Sequence, residues 1–293
     1  VYDLGCKHII SSPVEHHATL HTIEHLASVG EVNLSYVKIN HEGKVEMEDL
    51  EKQLKESSEK CLVTLMHANN EIGTITDIKT VSELCEKYGA IFHSDTVQTL
   101  AHFPIDTNGL KIHFLSGSGH KFHGPKGVGL LYINRSIRVH PFIQGGSQER
   151  NMRAGTENVY GIVGFAKALQ VASDNMAKDS SSIRAIRDYM KNRLQDEIKG
   201  VTFNGDSNGN GLYTVLSVGF PVSEKTDMLL FNLDLHHICA SGGSACSSGA
   251  VSGSHVINAL PGHQEQETVR FSFSKYNTKE EVDETIQVLK SIL

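Results

Sequence analysis

Apolar and polar positions follow one another in a strand, helix, strand order in the first half of the chain. The apolar runs at 61–67 and 90–95 predict two buried strands. Between them, apolar residues recur at helical spacing from Val81 to Tyr88, with Asp77 placed to cap the helix and Gly89 just past its end. A strand, a helix and a strand in about thirty residues predict a right-handed βαβ unit of a parallel sheet.

The C-terminal part of the chain shows a second alternation of helix and strand patterns. Apolar residues at 183, 186, 190 and 194 predict an amphipathic helix, and the capping box 278–281 begins a last helix. Strand-like stretches lie between them at 211–219 and 268–274. We place a domain boundary in the polar, serine-rich segment 174–182. The prediction is an α/β fold with a large, mostly parallel domain over residues 1–175 and a small α/β domain over 176–293.

A helix near the N-terminus carries regularly spaced histidines. The segment 12–15, Ser-Pro-Val-Glu, predicts a capping box with proline in the first turn. The helix after it leaves His17, His21 and His25 on one face. Histidines at this spacing can bind zinc, but no H-E-x-x-H motif is present, and we expect surface histidines and no metal.

Composition narrows the class of protein. The chain has 293 residues, of which 39% are hydrophobic, enough for a large buried core. Its net charge of −7 gives no attraction to nucleic acid or to an anionic membrane. No apolar stretch approaches the roughly 20 residues that span a bilayer. Five cysteines without a C-x-x-C pair, and no apolar leader, favour a reducing compartment, so we expect a cytoplasmic protein.

Lys121 lies in a glycine-rich turn between two predicted strands, at 111–115 and 128–133. One interpretation is an ordinary surface lysine. The other is an amine made reactive by partial desolvation and nearby positive charge, which can bind an aldehyde cofactor covalently. Ser118 and His120 place a hydroxyl and an imidazole beside it, and glycines let the backbone approach a ligand closely. These neighbours favour the second interpretation.

Asp95 ends the second strand of the βαβ unit, where parallel strands present chemistry. Asn70 lies in the turn after the first strand, and therefore at the same edge of the sheet. An aspartate beside a pyridine nitrogen keeps it protonated, so that the ring accepts electrons, and Gln98 and Asn70 could donate to a ring oxygen. The alternative for Asp95 is a turn or capping residue.

Several motifs together carry a family resemblance. In sequence order they are 14–17 (VEHH), 66–74 (MHANNEIGT), 95–98 (DTVQ), 118–129 (SGHKFHGPKGVG), 153–158 (RAGTEN), 241–248 (SGGSACSS) and 270–272 (RFS). The series resembles the cysteine desulfurases of the class V aminotransferase group, in the family's order and at its approximate spacing along nearly the whole chain.

The resemblance implies the cofactor pyridoxal 5′-phosphate, linked covalently to Lys121, and a fold of the pyridoxal-phosphate transferase type. It implies a role for each matching residue, as follows: Asp95 pairs with the ring nitrogen, His16 stacks on the ring, Asn70 and Gln98 contact its 3-oxygen region, Ser118 and His120 hold the phosphate, Thr156 reaches the phosphate of a partner subunit in a homodimer, and Arg270, with Asn70, holds the substrate carboxylate. An arginine suits a carboxylate because its planar fork makes two parallel hydrogen bonds.

The resemblance also implies Cys246 as the nucleophile, with Lys121, His16 and His120 as the other catalytic residues. L-cysteine would become L-alanine, and Cys246 would keep the sulfur as a persulfide for an acceptor protein in iron–sulfur cluster assembly or thio-modification. The residues around Cys246 are almost all small, which lets the sulfur be approached. A selenocysteine lyase of the same group and a non-catalytic scaffold are the alternatives.

One part of the family's pattern is missing from the printed sequence. The family has an earlier glycine- and threonine-containing turn at a helix N-terminus that binds the cofactor phosphate. Val1 stands close to what would be the second strand–helix pair. We expect an upstream segment to supply this turn, the alternative being a truncated chain that binds the cofactor weakly or not at all.

Overall fold

The computed structural model describes residues 1–242, 253–263 and 266–293. A six-stranded sheet has the order β2-β1-β3-β4-β5-β6, and all its pairs are parallel except β5 with β6. Its strands are β1 (His8–Ser11), β2 (Asn33–Tyr36), β3 (Cys61–Thr64), β4 (Ile91–Asp95), β5 (Phe114–Ser118) and β6 (Gly129–Ile133). A second, antiparallel sheet consists of β7 (Thr202–Asn204), β8 (Val215–Pro221) and β9 (Gln266–Ser272).

The helices connect these strands and cover them. They are α1 (His17–Ser28), α2 (Met47–Glu56), α3 (Ile78–Tyr88), the short α4 (Gln148–Asn151), α5 (Val159–Glu197), α6 (Leu229–Leu235), α7 (His255–Ala259) and α8 (Lys279–Ile292). A 3₁₀ turn, Gly119–Phe122, follows β5. In the described part of the chain, no helix combines the length and the apolar character that a membrane crossing needs.

Each sheet has its own apolar core. Val63 and Phe92 pair across β3 and β4, and together with Leu115 on β5 they are buried in one cluster with residues of α2 and α3. The smaller sheet packs against α6, α8 and the second half of α5, with Val218 and Leu194 fully buried in that cluster. This arrangement confirms the predicted α/β fold with a mostly parallel central sheet flanked by helices.

The N-terminal capping box was the wrong interpretation of residues 12–15. Helix α1 begins at His17, and its N-cap is His16, whose Nδ1 accepts the Ala18 N–H at 3.1 Å. Glu15 is fully buried instead, and its Oε1 accepts the Met66 N–H at 2.7 Å. A tertiary contact to the end of β3 therefore takes the carboxylate that a local cap would have used.

Two further boundaries differ from the expectation. The strand before Lys121 is β5, which extends to Ser118, because its pairing with β6 runs from Phe114 to Ser118. The polar segment 174–182 lies inside α5, which is continuous for 39 residues. The division at residue 175 therefore stays a prediction, and the polar residues there belong to the middle of a helix.

Candidate active site

The carboxyl ends of four parallel strands bring the predicted site residues to one edge of the large sheet. The chain leaves β1 toward His16, leaves β3 toward Asn70, ends β4 at Asp95 and leaves β5 toward Lys121. Ligands bind at this edge in open α/β sheets, because the loops there converge. The topology thus explains why residues from distant parts of the sequence meet.

A compact turn presents Lys121. Gly119 donates its N–H to Val128 O at 3.0 Å, and Gly124 donates to Gly119 O at 2.8 Å. A Cβ atom at Gly119 would lie 2.9 Å from the Phe165 ring, and one at Gly124 would lie 2.7 Å from Gly119 O. Glycine is therefore required where this turn packs against itself and α5.

A cavity of about 260 Å³ lies beside this turn. Its lining includes Asn70, Gln98, His120, Lys121 and Arg270, all of which were predicted from the sequence. A lysine, an arginine, an imidazole and two amides thus face one space. This group of donors suits an anionic ligand.

Arg270 connects the two sheets at the cavity. It lies on β9, and its Nη1 donates to Asn70 O at 2.9 Å. Its backbone pairs with Ser241: Ser241 donates to Arg270 O at 3.2 Å, and Arg270 donates to Ser241 O at 2.6 Å. Cys246 follows five positions after Ser241 in the sequence and lies outside the described residues.

Asp95 lies close enough to His16 and Lys121 for their charges to act on it, although neither Asp95 nor His16 lines the cavity. Asp95 accepts the Val97 N–H at 2.9 Å and the His67 N–H, through its backbone oxygen, at 2.9 Å. Burial raises the pKa of Asp95, while the Val97 hydrogen bond and the nearby positive charges of His16 and Lys121 oppose that rise. A further cation beside Asp95 would favour its charged form in the same way.

Ser118 and His120 lie together at the end of β5. Ser118 Oγ and His120 Nδ1 are 2.9 Å apart. Burial lowers the pKa of His120, and the positive charges of Lys121 and Lys126 lower it further. His120 is therefore neutral at pH 7, where it can accept a proton.

Of the predicted site residues that the structure describes, His16, Asp95 and Ser118 do not line this cavity, and neither does Thr156. It is exposed in the loop before α5, beside exposed apolar residues of the first helical turns, Val159, Tyr160 and Val163. Its expected role concerns a partner subunit, so a single chain does not test it.

The residues present fit pyridoxal 5′-phosphate. The cavity offers the Lys121 amine for covalent linkage. Asp95 lies close enough to Lys121 for the charge of that amine to act on it. The Ser118 hydroxyl and the His120 ring offer hydrogen bonds to a phosphate. The part of the chain that is described thus supplies groups for the ring and for the phosphate.

Sequence reasoning missed His102. Its Nε2 donates to Lys121 O at 3.1 Å, and its Nδ1 lies 2.9 Å from the Tyr213 hydroxyl. Because a carbonyl can only accept, Nε2 carries the proton. The Tyr213 hydroxyl also donates to His102 O at 3.2 Å. His102 therefore connects the Lys121 backbone to Tyr213, which lies just before β8 of the smaller sheet, and no local sequence pattern signals that contact.

Three of the other cysteines and the histidine face are accounted for by packing. Cys6, Cys61 and Cys85 are buried, and burial raises the pKa of Cys85 to about 12. His17 packs against His21 and His255, with ring centroids 4.5 and 4.3 Å apart. Across residues 1–242, 253–263 and 266–293, no group of three or more His, Cys, Asp or Glu is arranged to hold a metal ion.

Comparison with known proteins identifies the family. The sequence matches the aminotransferase class-V family over residues 5–285. It is 42% identical to a cysteine desulfurase IscS of Dictyoglomus turgidum, over 98% of this chain and 72% of that protein. Two solved structures titled NifS-like protein superpose well: one has a TM-score of 0.88 at 33% identity, covering 100% of this chain and 77% of that one. The other, from Rickettsia africae, has a TM-score of 0.87 at 30% identity and covers 98% and 75%. The chain therefore belongs to the aminotransferase class-V family, among its pyridoxal-phosphate-dependent cysteine desulfurases.

Proposed function

We propose that the protein converts L-cysteine to L-alanine and transfers the sulfur to Cys246 as a persulfide. The observation that carries this proposal is the cavity that holds the Lys121 amine and the Arg270 guanidinium on the end of a parallel sheet. The relative of 42% identity is named a cysteine desulfurase, which supports the same reaction. The products would serve iron–sulfur cluster assembly or thio-modification through an acceptor protein in the cytoplasm.

Different residues of the site are assigned to bind the substrate carboxylate and the parts of the cofactor. Arg270 receives the substrate carboxylate, because its contact to Asn70 O fixes the guanidinium at the cavity wall. Ser118 and His120 would hold the phosphate, and Asn70 and Gln98 would contact the ring oxygen. Pyridoxal phosphate supplies, when bound, an electron-accepting ring that stabilises negative charge at the substrate Cα. Asp95 would support that chemistry by keeping a proton on the ring nitrogen, and His16 would lie against the ring.

Proton transfer belongs to Lys121. Its amine would lie beside the substrate Cα when the cofactor and substrate are bound, and there it could remove the Cα proton. His120, neutral at pH 7 since burial and Lys121 lower its pKa, can take a proton from the incoming thiol or amine.

Cys246 completes the reaction as a thiolate. Its sulfur attacks the substrate sulfur, and the bond between that sulfur and Cβ breaks with its electron pair remaining on carbon. Protonation of that carbon gives the methyl group of alanine, and Cys246 retains the second sulfur. One cysteine and one thiol are consumed, and one alanine and one persulfide form, so no external oxidant is required.

The test measures sulfide and alanine formed from L-cysteine by the purified chain, with pyridoxal phosphate and a thiol reductant present. We expect equal amounts of both products. Lys121→Ala and Cys246→Ala should each abolish sulfide release, while the controls Lys126→Ala and Cys239→Ala should retain it. Sulfide release by Cys246→Ala at the parent rate would show that another group is the nucleophile.

A selenocysteine lyase of the same group is the second candidate. The small residues around Cys246 favour the desulfurase, because sulfur transfer depends on a protein thiol more strongly than selenium elimination does. The Cys246→Ala variant distinguishes the two. It should lose sulfide release from cysteine and keep selenide release from selenocysteine.

The proposed enzyme is a homodimer in which Thr156 reaches the partner's cofactor phosphate. Support comes from the exposed surface beside Thr156, where Tyr160 is 92% exposed and Val163 is 63% exposed at the start of α5. Contiguous exposed apolar side chains of this kind are typical of an interface. A second copy of the chain is the occupant we assign to this surface.

A further inference from the structure

Glu15 is a fully buried acid next to the candidate active site. It stands between β1 and His16, and its Oε1 accepts the Met66 N–H at 2.7 Å. Among the described residues, its Oε2 is buried without a hydrogen-bond partner. A buried carboxylate whose bonded partner is a neutral amide is costly to keep charged. The proposed mechanism gives this residue no role.

A second carboxyl group, that of Asp95, lies close by. β3 is the neighbour of both β1 and β4, and the two residues after Leu65 connect the two acids. Met66 donates its N–H to Glu15, and His67 donates its N–H to the Asp95 backbone oxygen at 2.9 Å. The charge of Asp95 acts on Glu15 and raises its pKa, so the two acids do not ionise independently and one of them takes the proton more readily.

The surroundings of Glu15 and Asp95 determine which of the two acids carries the proton. Burial raises the pKa of Glu15 well above its ordinary value, the Met66 hydrogen bond opposes this, and the charge of Asp95 adds to it. Asp95 is also buried, but it accepts the Val97 N–H and lies near the positive charges of His16 and Lys121. The cations thus stabilise charge on Asp95 and leave the proton to Glu15.

We propose that Glu15 is a positioning residue that carries a proton in the folded protein, so that Asp95 holds the negative charge of this pair and His16 is fixed beside it. Only the assignment of Asp95 to the cofactor ring nitrogen rests on the proposed function. A protonated Glu15 anchors the backbone next to His16 and adds no second negative charge near Asp95. The carboxylate of Asp95 would then be the only one of the two acids to act on the proton of the ring nitrogen. His255, whose Nε2 donates to Glu15 O at 2.9 Å, holds the same backbone from α7.

Isotope-edited infrared spectroscopy tests where the proton lies. The full chain is labelled with ¹³C at the glutamate side-chain carboxyls, and a second sample is labelled at the aspartate carboxyls. At pH 7 the glutamate sample should show a carboxylic-acid C=O band, and the aspartate sample should show carboxylate bands alone. An acid band in the aspartate sample, or none in the glutamate sample, overturns the proposal.

The variant Glu15→Gln provides an independent measurement. Gln keeps a carbonyl oxygen for the Met66 N–H but does not titrate, so it imitates the protonated acid. The acid band should disappear in this variant and persist in Glu83→Gln, a matched control on the exposed face of α3. Persistence of the band in Glu15→Gln assigns it to another residue and overturns the proposal.

The stability of the same variants against pH gives the sign of the effect. A folded pKa above the unfolded value of about 4.3 means that the native state holds an extra proton between the two values. As pH rises through that window, the unfolding constant of the parent should grow relative to Glu15→Gln, by up to about tenfold per pH unit. Glu83→Gln should show no such trend, and a flat ratio for Glu15→Gln contradicts the proposal.

None of these measurements uses cysteine turnover. An inactive chain with the acid band would contradict the proposed reaction and leave the role of Glu15 intact. An active chain without the acid band would support the proposed reaction and contradict the role of Glu15.

Discussion

At the scale of single residues, the site depends on side chains whose backbone is held by another element. The Arg270 guanidinium meets the carbonyl of Asn70 from the opposite sheet, and Lys121 O meets the ring of His102. Such contacts set the direction of each functional group before any substrate arrives. Preorganisation of this kind lowers the cost of orienting groups when a ligand binds.

Arg270→Lys should weaken cysteine binding, because an ammonium cannot contact Asn70 O and a carboxylate through one planar fork. We expect kcat/KM to fall roughly 10- to 100-fold, mainly through KM, as for loss of a charge-assisted hydrogen bond. Steady-state alanine formation measures this. Arg135→Lys, at an exposed position, is the control and should keep the parent KM.

Asp77 is a cap whose contribution depends on pH. Burial raises its pKa, but hydrogen bonds from the Thr80 side chain and from the Thr80 and Lys79 N–H groups lower it by more, so the folded pKa is depressed. Its stabilisation is therefore complete above the unfolded pKa and is lost as pH falls through the folded one.

Asp77→Ala should accordingly reduce the free energy of unfolding by about 1 kcal/mol at pH 7. The difference from the parent should shrink as the solution becomes acidic, measured by urea unfolding at several pH values. Asp77→Asn keeps an oxygen that accepts hydrogen bonds and should show little loss at pH 7. An Asp77→Ala deficit that stays constant with pH would contradict the role of the charge.

At the scale of elements, the sequence predicted those parts whose signals are local. Helix α3 was predicted from Asp77 to Gly89, and the structure has the same cap and the same left-handed end, because both signals lie within one helix length. The capping box at Thr278 and Glu281 was confirmed for the same reason. The start of α1 was not predicted, since Glu15 is bound by Met66, 51 positions away in the sequence.

The residues of the candidate site also differ in whether local sequence patterns predict them. Asp95, Asn70 and Lys121 could be placed at one edge of the sheet, because parallel strands end together. His102 could not, because its partners are 19 and 111 positions distant and no periodicity relates them. The resemblance added Arg270, which patterning alone leaves on an ordinary strand.

The polar middle of α5 offers a test of the helix that replaced the expected linker. Ser181→Pro should destabilise the protein by about 3 kcal/mol, because proline removes a backbone hydrogen bond and clashes with the preceding turn. Ser181→Ala is the control and should be neutral or slightly stabilising. Chemical denaturation of both variants measures the free energy of unfolding. A proline variant as stable as the parent would indicate that this segment is a flexible linker and not a helix.

At the scale of the whole molecule, the proposed dimer would form through the exposed apolar surface beside Thr156. Val163→Asp places a charge in the exposed apolar turns of α5, and burying that charge in an interface would be costly. We expect light scattering to show a shift from dimer to monomer, with lower affinity for pyridoxal phosphate because Thr156 no longer meets a partner.

The control for this prediction is Leu131→Asp, a similarly exposed apolar position on β6. It should leave the molar mass unchanged if the dimer forms through α5. A parent chain that is monomeric and still turns over cysteine would contradict the dimer itself.

Helix α5 also has a mechanical consequence. Its first half packs on Phe122, next to Lys121, and its second half packs in the core under β8 and β9, which carries Arg270. At 1.5 Å per residue this helix is roughly 58 Å long, and each of its halves packs in a different apolar cluster. The turn that carries Lys121 and the sheet that carries Arg270 therefore pack on the two halves of one continuous helix, which couples their positions mechanically.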